Sequence, residues 1–497
     1  MRHARGLRIP RRSTSRPSRL RTRTCDLAVI GAGPAGLEAA HRGAAAGLRV
    51  ALFERKQLGG TSLNSGSIPS KALIRVATLF AGARQAARLL DSHLELPPPD
   101  MQRIVQYLRR VEQRIAAYDS PARLERAGIE LHRGAAHFVD RQTVALGRRH
   151  FRFRHALVAT GAVSAPPSFP GLPARSYLTS ESIFSLRRLP GSLAVVGGGP
   201  LGCELAQAFR RLGCDVTIIQ DEAKFLPLEE RDAAQVLAQA MARDGVQIRL
   251  NTRVIGASRS GSGFRLETES YRKRDRVTAT EVLVSVGRVP NTGELHLEAA
   301  GIKADRVRGV VTDDYLRTSN RRIFAAGDVC MPQKYTHVAC STARIAIDNI
   351  VHGQRLRCSA LIIPWCTFCV PEIAHVGLQA WEARERSIPV KTYTVLMHDV
   401  HRAITDRQES GFVKLHAAEG TDRIVGATIV AARASEMINE VCVAMHHGIG
   451  LRGLADVMHT YPAQAAAIRT AAASARRKRR GTLAPRTCAQ HRGDFDA

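Results

Sequence analysis

Short apolar runs alternate with longer helical stretches in the first half of the chain. Two groups each contain an apolar run, a glycine-rich turn, a helical stretch and a second apolar run. These elements cover residues 26–30, 37–46 and 49–53 in the first group and 193–196, 203–212 and 215–219 in the second. A strand, a helix and a returning strand in this order predict a βαβ unit with a parallel sheet. We therefore expect an α/β fold with two such units, and two further helices over about 69–90 and 101–118.

The turn of the first unit carries a nucleotide-binding pattern. It reads Gly31-Ala32-Gly33-Pro34-Ala35-Gly36, and Glu54 ends the returning strand. Glycines at this spacing permit a tight turn and let the backbone approach a pyrophosphate, which the helix N-terminus attracts. An acid at the end of the second strand accepts hydrogen bonds from ribose hydroxyls. The pattern predicts a Rossmann-like dinucleotide site.

The second unit repeats this pattern with a change at the ribose position. Its turn reads Gly197-Gly198-Gly199-Pro200-Leu201-Gly202, and the neutral Gln220 follows its returning strand. Two complete units predict two bound dinucleotides. Asp221 opposes the 2′-phosphate of NADPH and Lys224 favours it, so both NADH and NADPH remain candidates.

The segment over residues 59–71 carries a third motif. It reads Gly59-Gly60-Thr61-Ser62-Leu63-Asn64-Ser65-Gly66-Ser67-Ile68-Pro69-Ser70-Lys71. This segment resembles the active-site segment of the pyridine nucleotide-disulphide oxidoreductases, which include dihydrolipoamide dehydrogenase, glutathione reductase and mercuric reductase. Their segment reads Gly-Gly-x-Cys-x-x-x-Gly-Cys-x-Pro-Ser/Thr-Lys, and its two cysteines form a disulphide beside a flavin. The serines Ser62 and Ser67 stand at the two cysteine positions.

The resemblance covers residues 25 to about 470 and implies both cofactors and their sites. It assigns FAD to the first unit and NADH or NADPH to the second, and it implies a catalytic ion pair of Lys71 and Glu204 beside the flavin. The cofactor-binding residues that it implies are Gly31, Gly33, Pro34, Ala35, Gly36, Glu54, Arg55, Gly60, Thr61, Lys71, Ala136, Thr160, Gly161, Gly197, Gly199, Gly202, Glu204, Gln220, Gly287, Arg288, Gly327, Asp328, His337 and Ala339.

Residues 356–472 resemble the α+β interface domain of this family, which implies a homodimer whose subunits lend residues to each other's sites. The family reads His-x-His-Pro-Thr-x-x-Glu where this chain reads His459-Thr460-Tyr461-Pro462-Ala463-Gln464-Ala465-Ala466. Tyr461 therefore replaces the acid/base histidine, as it does in mercuric reductases, and Ala466 replaces the glutamate that orients it. The terminal cysteine pair and metal-binding domain of mercuric reductases are not found in the sequence, so we do not expect mercury chemistry.

The two serines limit the chemistry that the resemblance implies. Hydroxyl groups cannot store two electrons, so we do not expect disulphide reductase activity. Hydride transfer from nicotinamide to flavin needs only the nucleotide sites and the Lys71–Glu204 pair. We expect a flavoprotein oxidoreductase whose flavin passes electrons directly to a small diffusible acceptor, which could be a quinone, a dye, oxygen or a second nicotinamide. The alternative is a catalytically inactive paralogue that binds FAD.

Charge and cysteine content add little to this interpretation. The formal net charge of +29 is concentrated at the ends, and residues 1–24 hold nine arginines and no acid. Basic ends without interleaved aromatic residues predict solvated tails, so we do not expect nucleic-acid binding. No apolar stretch is long enough for a membrane helix. Ten scattered cysteines indicate a reducing compartment, which we take to be the cytoplasm, and we interpret Cys366 and Cys369 as structural, with no metal site.

The predicted organisation has six segments. They are a basic extension that is disordered or a transit peptide (1–24), an FAD-binding domain in two parts (25–155 and 284–355), an NAD(P)-binding domain (156–283), the dimerisation domain (356–472) and a disordered basic tail (473–497).

Overall fold

The computed structural model describes residues 22–92, 96–173, 176–353 and 355–479. The first stretch of the fold, up to residue 164, contains seven strands and five helices. The strands are β1 (Thr22–Ile30), β2 (Val50–Glu54), β3 (Ile129–Arg133), β4 (His137–Asp140), β5 (Thr143–Leu146), β6 (Arg149–Val158) and β7 (Ala162–Ser164). The helices are α1 (Pro34–Ala45), α2 (Gly60–Asn64), α3 (Ser67–Leu89), α4 (Met101–Ala116) and α5 (Pro121–Arg126).

The middle of the chain contains a second set of elements. Its strands are β8 (Ser192–Val196), β9 (Asp215–Ile219), β10 (Gln247–Arg249), β11 (Arg253–Ser260), β12 (Gly263–Ser270), β13 (Lys273–Ala279), β14 (Glu281–Val284) and β15 (Arg288–Pro290). Its helices are α6 (Pro200–Leu212) and α7 (Arg231–Asp244). The chain then forms β16 (Ala304–Asp305), β17 (Gly309–Val310), β18 (Ile323–Ala325) and α8 (Thr336–Val351).

The C-terminal part is built on its own sheet. Its strands are β19 (Pro364–Thr367), β20 (Glu372–Gly377), β21 (Val390–Leu396), β22 (Phe412–Ala418) and β23 (Ile424–Ala431). Its helices are α9 (Ala380–Glu385), α10 (His401–Thr405), α11 (Ala434–His446), α12 (Leu451–Asp456) and α13 (Ala466–Arg479).

Two sheets position the nucleotide motifs, and their strands are parallel except for β4 and β5, which pair antiparallel at one edge of the first sheet. The first sheet has the strand order β3-β2-β1-β6-β5-β4, with β18 also pairing to β6, and the second has the order β10-β9-β8-β14. The central strands are apolar because both faces of each sheet are covered, as in the fully buried run Leu27–Val29. In the first sheet, α1 and α8 pack on one face and apolar residues between 295 and 310 pack on the other. Since strand and helix are joined by a glycine turn in both sheets, the glycines lie at the carboxyl ends of β1 and β8, where α/β sheets bind ligands.

The C-terminal sheet is antiparallel and has the order β19-β20-β23-β22-β21. Helices α11 and α13 pack on it and bury apolar residues such as Ile438 and Ile468. This part is therefore α+β, and the fold class expected from the sequence, two Rossmann-like domains and an α+β domain, is confirmed.

Several strands and helices extend past the segment boundaries that were predicted from the sequence. Strand β1 begins at Thr22, because residues 22–24 pair with β6 through their backbone although their side chains are polar. Strand β6 continues to Val158 within the first sheet, and β14 includes Val284 in the second. Helix α13 continues to Arg479, because residues 471–475 are mostly alanine and Arg476 pairs with Asp456 at 2.6 Å. Residues 1–21 and 480–497, the rest of the predicted extension and tail, lie outside the described residues.

Candidate active site

The glycines of the first turn have different roles in the packing. A Cβ atom added to Gly31 would lie 2.4 Å from the Ala159 carbonyl oxygen, and one added to Gly36 would lie 1.7 Å from the Gly31 oxygen. The nearest atom to an added Cβ on Gly33 is 3.8 Å away, on Gly60. Gly31 therefore allows the turn to approach the chain after β6, and Gly36 allows α1 to pack on the turn, whereas an added Cβ on Gly33 would make only an ordinary contact. In turns of this kind the N-terminus of the helix binds a pyrophosphate.

A cavity of about 260 Å³ lies beside this turn. It brings together five of the predicted cofactor-binding residues, which are Gly31, Glu54, Arg55, Ala136 and Thr160. The loop after β15 closes the cavity with residues that were not among the predicted site residues, Asn291, Gly293 and Glu294. The sequence feature that could have indicated these residues is the turn Gly287-Arg288-Val289-Pro290-Asn291. Only Gly287 and Arg288 of this turn were predicted to bind the cofactor.

Hydrogen bonds hold the edges of this cavity. Glu54 is 9% exposed and accepts the backbone N–H groups of Ala32 at 2.8 Å and Lys56 at 2.7 Å. Thr160 Oγ1 donates to the Asn291 carbonyl at 2.7 Å, and Asn291 Nδ2 donates back to the Thr160 carbonyl at 2.9 Å. The Glu54 carboxylate thus fixes the glycine turn of the nucleotide site to which Glu54 was assigned from the sequence.

An ion pair of Arg288 and Asp328 contacts the segment over residues 59–71 through Thr61. Arg288 Nη1 lies 3.0 Å from Asp328 Oδ2, and Arg288 Nη2 donates to Thr61 Oγ1 at 2.8 Å. Burial raises the pKa of Asp328, and the charges of Arg288 and Lys334 act in the opposite direction. Three predicted residues from separate motifs, Thr61, Arg288 and Asp328, are therefore in direct contact.

Lys71 and Glu204 form the ion pair that the resemblance implied. Lys71 Nζ donates to Glu204 Oε2 at 2.7 Å, and the Phe368 N–H donates to Oε1 at 3.0 Å. The ammonium also lies 4.1 Å from the centroid of the Phe368 ring. Glu204 is 3% exposed, so its buried charge needs both partners. Phe368 was missed from the sequence because nothing in its local pattern indicates a contact with α6.

The two serines share a hydroxyl partner at the start of α8. Ser62 Oγ lies 2.8 Å from Thr336 Oγ1, and Ser67 Oγ lies 3.4 Å from the same atom. Lys71 follows Ser67 by one turn of α3. Ser62, Ser67 and Thr336 therefore form a cluster of three hydroxyl groups, one helical turn from Lys71.

The second glycine turn repeats the geometry of the first. An added Cβ on Gly197 would lie 2.3 Å from the Ser285 oxygen and one on Gly202 would lie 2.2 Å from the Gly197 oxygen, but one on Gly199 would meet nothing within 4 Å. Gln220 is 7% exposed and accepts the Gly198 N–H at 2.7 Å, as Glu54 accepts that of Ala32. The turn therefore offers a second open helix N-terminus.

Two family models match most of this chain. The model of the pyridine nucleotide-disulphide oxidoreductases matches residues 25–348, and the model of their dimerisation domain matches residues 363–472. The chain belongs to the pyridine nucleotide-disulphide oxidoreductase family. The resemblance read from the sequence is therefore confirmed, and members of this family use FAD and NAD(P)H.

Named relatives and solved structures agree with this assignment. A mercuric reductase of Staphylococcus aureus is 30% identical over 447 residues, covering 90% of this chain and 82% of the relative. Dihydrolipoyl dehydrogenase 2 of Haloarcula marismortui is 33% identical over 461 residues, covering 91% and 96%. LpdA from Mycobacterium tuberculosis has a TM-score of 0.83 at 28% identity, and the HOCl-induced flavoprotein disulfide reductase RclA from Escherichia coli has 0.80 at 27%. Both structures cover 90% of this chain, which in turn covers 99% of each.

The other residues that the family resemblance implied are spread around the same turns. An added Cβ on Gly327 would lie 3.1 Å from Ala339 Cβ and 3.3 Å from Ala35 Cβ, so α1 and α8 meet there. An added Cβ on Gly161 or Gly287 would meet nothing within 4 Å. The His337 ring stacks on the Tyr335 ring, and His337 Nε2 lies 2.8 Å from the Pro364 carbonyl oxygen. Pro34 is the first residue of α1, and Gly60 the first residue of α2.

Tyr461 lies on the surface of the family's dimerisation domain. Its side chain is 78% exposed, and its hydroxyl lies 3.0 Å from His401 Nδ1 on α10. His401 was not predicted, because sixty positions separate it from Tyr461 in the sequence. Within one chain, the partner of the predicted acid/base residue is thus an imidazole.

The cysteines of Cys366-Thr367-Phe368-Cys369 lie at the end of β19, a strand of four residues. Burial raises the pKa of both thiols well above the usual range, and neither is in a disulphide. A protonated buried thiol is a poor nucleophile and a poor metal ligand. This geometry agrees with the structural interpretation of both residues.

None of the helices within the described ranges is both long and apolar enough to cross a membrane.

Proposed function

We propose that this chain is an FAD-dependent NAD(P)H oxidoreductase that passes a hydride from nicotinamide to flavin and then to a diffusible acceptor, without a redox disulphide. The observation that carries this proposal is the contrast between two groups of residues on the consecutive helices α2 and α3. Lys71 keeps its ion pair with Glu204, whereas Ser62 and Ser67 present hydroxyls to Thr336. In this proposal Lys71 and Glu204 serve hydride exchange, and the two positions for disulphide exchange hold serines.

The open glycine turns support the binding of two nucleotides. Gly33 and Gly199 have room for a phosphate at the N-termini of α1 and α6, where unpaired N–H groups and the helix dipole favour anions. The 260 Å³ cavity beside Glu54 fits the adenosine half of FAD. When bound, FAD supplies the two-electron chemistry, and the protein positions it. Arg288 and Asp328 would hold its polar chain, and the Lys71 ammonium would place a positive charge beside its ring.

Ser62 and Ser67 stand where the family has its two redox cysteines, and we propose that no other thiol takes their place. Among the cysteines in the described part of the chain, Cys203, Cys366 and Cys369 are those whose pKa the charges of Glu204 or Lys71 affect. Burial raises the pKa of each of these three thiols. A thiolate is required for disulphide exchange, so these thiols are not suited to replace the missing pair.

We propose NADH as the preferred nicotinamide. Gln220 uses its carbonyl oxygen to fix the Gly198 N–H, and Asp221 is exposed next to it. A carboxylate at this edge repels a 2′-phosphate. We also propose that the protein is a cytoplasmic homodimer, and a model of the family's dimerisation domain matches residues 363–472.

A second candidate function is an inactive paralogue that holds FAD. Tyr461, Ala463 and Ala466 occupy the positions where the family has histidine, threonine and glutamate, and this favours loss of activity. The intact Lys71–Glu204 pair favours the enzyme, because a protein that only stores flavin does not need a buried ion pair beside it.

An anaerobic titration of the purified flavoprotein with NADH, and then with NADPH, tests the proposal. We expect about one equivalent of NADH to bleach the flavin absorption without a long-wavelength band from a thiolate–flavin contact, and we expect a soluble quinone to restore the colour. A flavin that neither nucleotide bleaches would support the inactive paralogue. A long-wavelength band would show that a thiol lies at the flavin and would contradict the disulphide-free mechanism.

A further inference from the structure

A cleft of about 1100 Å³ lies at the amino ends of the central strands of the first sheet. It is lined by the first residues of β1 and β6, by the turn between β4 and β5 and by the turn before β18. Because β1, β6 and β18 are parallel, their amino ends meet at this edge, whereas the first glycine turn follows the carboxyl end of β1. Strand β6 has 10 residues, so its two ends are about 30 Å apart. The cleft is therefore separate from the nucleotide site.

The cleft carries a concentrated positive charge. Four of its lining residues are arginines whose side chains are exposed to water. They are Arg141, Arg152, Arg321 and Arg322. Among the described residues that line the cleft, Asp140 is the one carboxylate, and its Oδ1 accepts the backbone N–H of Gln142 at 2.7 Å. Neighbouring like charges repel each other, so an anion bound among the four guanidinium groups would relieve their repulsion.

The four arginines of the cleft differ from other surface arginines in their partners. Arg42 lies 2.6 Å from Asp348 and Arg344 lies 2.6 Å from Glu38, but within the described ranges none of the four cleft arginines is in an ion pair. Residues 1–21, which precede the first residue of β1, contain no Asp or Glu. The described residues and the segment before them therefore leave these four charges without a carboxylate partner.

Hydrogen bonds from a buried side chain fix the two turns that carry arginines. Asn320 Nδ2 donates to the Arg141 carbonyl at 3.0 Å and to the Ala300 carbonyl at 2.9 Å. Asn320 Oδ1 accepts the Arg322 N–H at 3.1 Å, and the Arg322 carbonyl accepts the Ala156 N–H at 3.0 Å. The turn between β4 and β5 is thus joined to the turn before β18. A backbone that is fixed before binding lowers the entropy cost of holding a ligand.

The lining residues indicate the class of anion. Besides the guanidinium groups they supply the hydroxyls of Thr143 and Ser319, and Val139 is the one aliphatic residue among the described residues of the lining. None of these described residues is Phe, Tyr or Trp, so a nucleobase would find no aromatic surface to stack on. Guanidinium groups bind phosphate oxygens through paired N–H donors. Four of them on separate turns suit a ligand with several phosphate groups in a row.

We propose that this cleft binds a small anion with two or more linked phosphate groups, held by the four arginines. A free oligophosphate and the phosphate chain of a nucleotide share this chemistry. The proposal is independent of the proposed function, because the lining of the cleft contains none of the residues predicted to bind FAD or the nicotinamide cofactor. Loss of this site would therefore leave the flavin chemistry unaffected.

Isothermal titration of the full-length flavoprotein tests the site, with FAD bound and saturating NAD⁺ present to occupy the second glycine turn. Inorganic triphosphate should bind, ATP should bind within about threefold of it, and adenosine should not bind. In the double variant Arg152→Gln/Arg322→Gln the affinity for triphosphate should fall at least about tenfold, because two charge-assisted contacts are lost. Arg274→Gln/Arg276→Gln, at exposed arginines of β13, removes the same net charge and should change the affinity less than about twofold. Both double variants should keep the FAD content and melting temperature of wild type.

The other outcomes of the titration identify the ligand or overturn the site. ATP binding more than about tenfold tighter than triphosphate would make a nucleotide the source of the phosphate chain, and comparable binding would make it a free oligophosphate. Equal losses of affinity in both double variants would show attraction to net charge alone and would overturn the site. A single-stranded oligonucleotide that binds more tightly than triphosphate, and loses this binding in Arg152→Gln/Arg322→Gln, would overturn it in favour of nucleic acid.

Hydrogen–deuterium exchange of the wild-type flavoprotein locates the ligand without any variant. Triphosphate should protect the backbone amides of residues 139–143 and 319–322 and leave those of residues 31–36 and 197–202 unchanged. Protection confined to the two glycine turns would place the anion in the nucleotide sites and contradict the proposal. Failure of NADH to bleach the flavin would count against the proposed function and leave these results as they stand.

Discussion

At the residue scale, Glu229 is a buried carboxyl where the three parts of the fold meet. Its Oε1 accepts from Trp365 Nε1 at 3.0 Å and lies 3.5 Å from Thr367 Oγ1, and its Oε2 has no hydrogen-bond partner among the described residues. Burial raises the pKa of Glu229 to about 7. Burial also raises the pKa of Tyr335, ahead of α8, to about 12, and the charge of Glu229 adds to that shift.

Glu229 should make the stability of the protein depend on pH. The folded-state pKa of about 7 exceeds the ordinary value of 4.5. Between these two pH values the Glu229 carboxyl is protonated in the folded state and ionised in the unfolded state. The free energy of unfolding therefore falls by about 3 kcal/mol in total as the pH rises through this range, and it levels off above about pH 7. Glu229→Gln removes this loss. Its melting temperature relative to wild type should be several degrees higher at pH 8 than at pH 5. Glu222→Gln, on an exposed carboxyl, is the control, and a difference that is equal at both pH values would contradict the assignment.

The Lys71–Glu204 pair predicts an asymmetry between its two partners. Lys71→Met leaves a carboxylate that is 3% exposed with the Phe368 N–H as its remaining partner, so we expect a loss of about 2 kcal/mol in urea unfolding. Glu204→Gln keeps an acceptor for that N–H, and the Lys71 side chain is 34% exposed to water, so the loss should be below about 1 kcal/mol. Lys56→Met, at an exposed lysine, should change stability by less than about 0.5 kcal/mol. A larger loss for Glu204→Gln than for Lys71→Met would rule out this account.

At the scale of elements, different glycines of the β1–α1 turn serve packing and ligand binding. Gly36→Ala would place a Cβ 1.7 Å from a carbonyl oxygen, so α1 must move away from β1 and the fold should lose more than about 3 kcal/mol. Gly33→Ala meets no atom nearer than 3.8 Å, so it should fold normally but retain less FAD. The ratio of flavin to protein absorbance and thermal unfolding together distinguish the two effects. Gly82→Ala, on an exposed turn of α3 with nothing within 4 Å, is the control and should stabilise by about 0.5–1 kcal/mol.

These elements also explain how much the sequence could predict. The apolar runs and glycine spacings of β1–α1 and β8–α6 are local signals, because a strand buried on both faces and a tight turn each constrain neighbouring residues. Thr336, Phe368 and His401 could not be predicted in the same way. Each contacts the site through a pairing of distant segments, such as the 164 positions between Phe368 and Glu204. The polar residues 22–24 were missed as a strand because only their backbone pairs with β6.

At the scale of the whole molecule, the second α/β part is fastened to the C-terminal part by polar contacts. Gln207 on α6 accepts the Val370 N–H at 2.8 Å and donates to the Val370 carbonyl at 2.9 Å. Glu230 bonds Lys414 at 2.7 Å and His416 at 3.0 Å, and these partners lower its pKa despite its burial. The ion pair Lys71–Glu204 therefore spans parts of the chain that are held together at several points, which suits a site that needs fixed geometry.

The remaining surface of the C-terminal part bears on assembly. Val443 on α11 is 57% exposed, and Val457 and Met458 in the following loop are 47% and 94% exposed. The His459–Glu440 contact joins this loop to α11 one turn before Val443, so exposed apolar side chains lie on two elements that are in contact. Exposed apolar areas of this kind mark contact surfaces, and a two-fold dimer would use each residue twice.

These exposed apolar residues predict that a charged side chain at Met458 weakens the dimer. We expect the wild-type protein to sediment as a dimer and Met458→Glu to dissociate it, since two carboxylates would have to be buried per dimer. FAD content and bleaching by NADH should persist in the monomer, because the nucleotide turns and the Lys71–Glu204 pair come from one chain. Val307→Glu, at a valine that is 80% exposed in the turn between β16 and β17, is the control and should remain dimeric. A Met458→Glu protein that still sediments as a dimer would show that this surface lies outside the subunit contact.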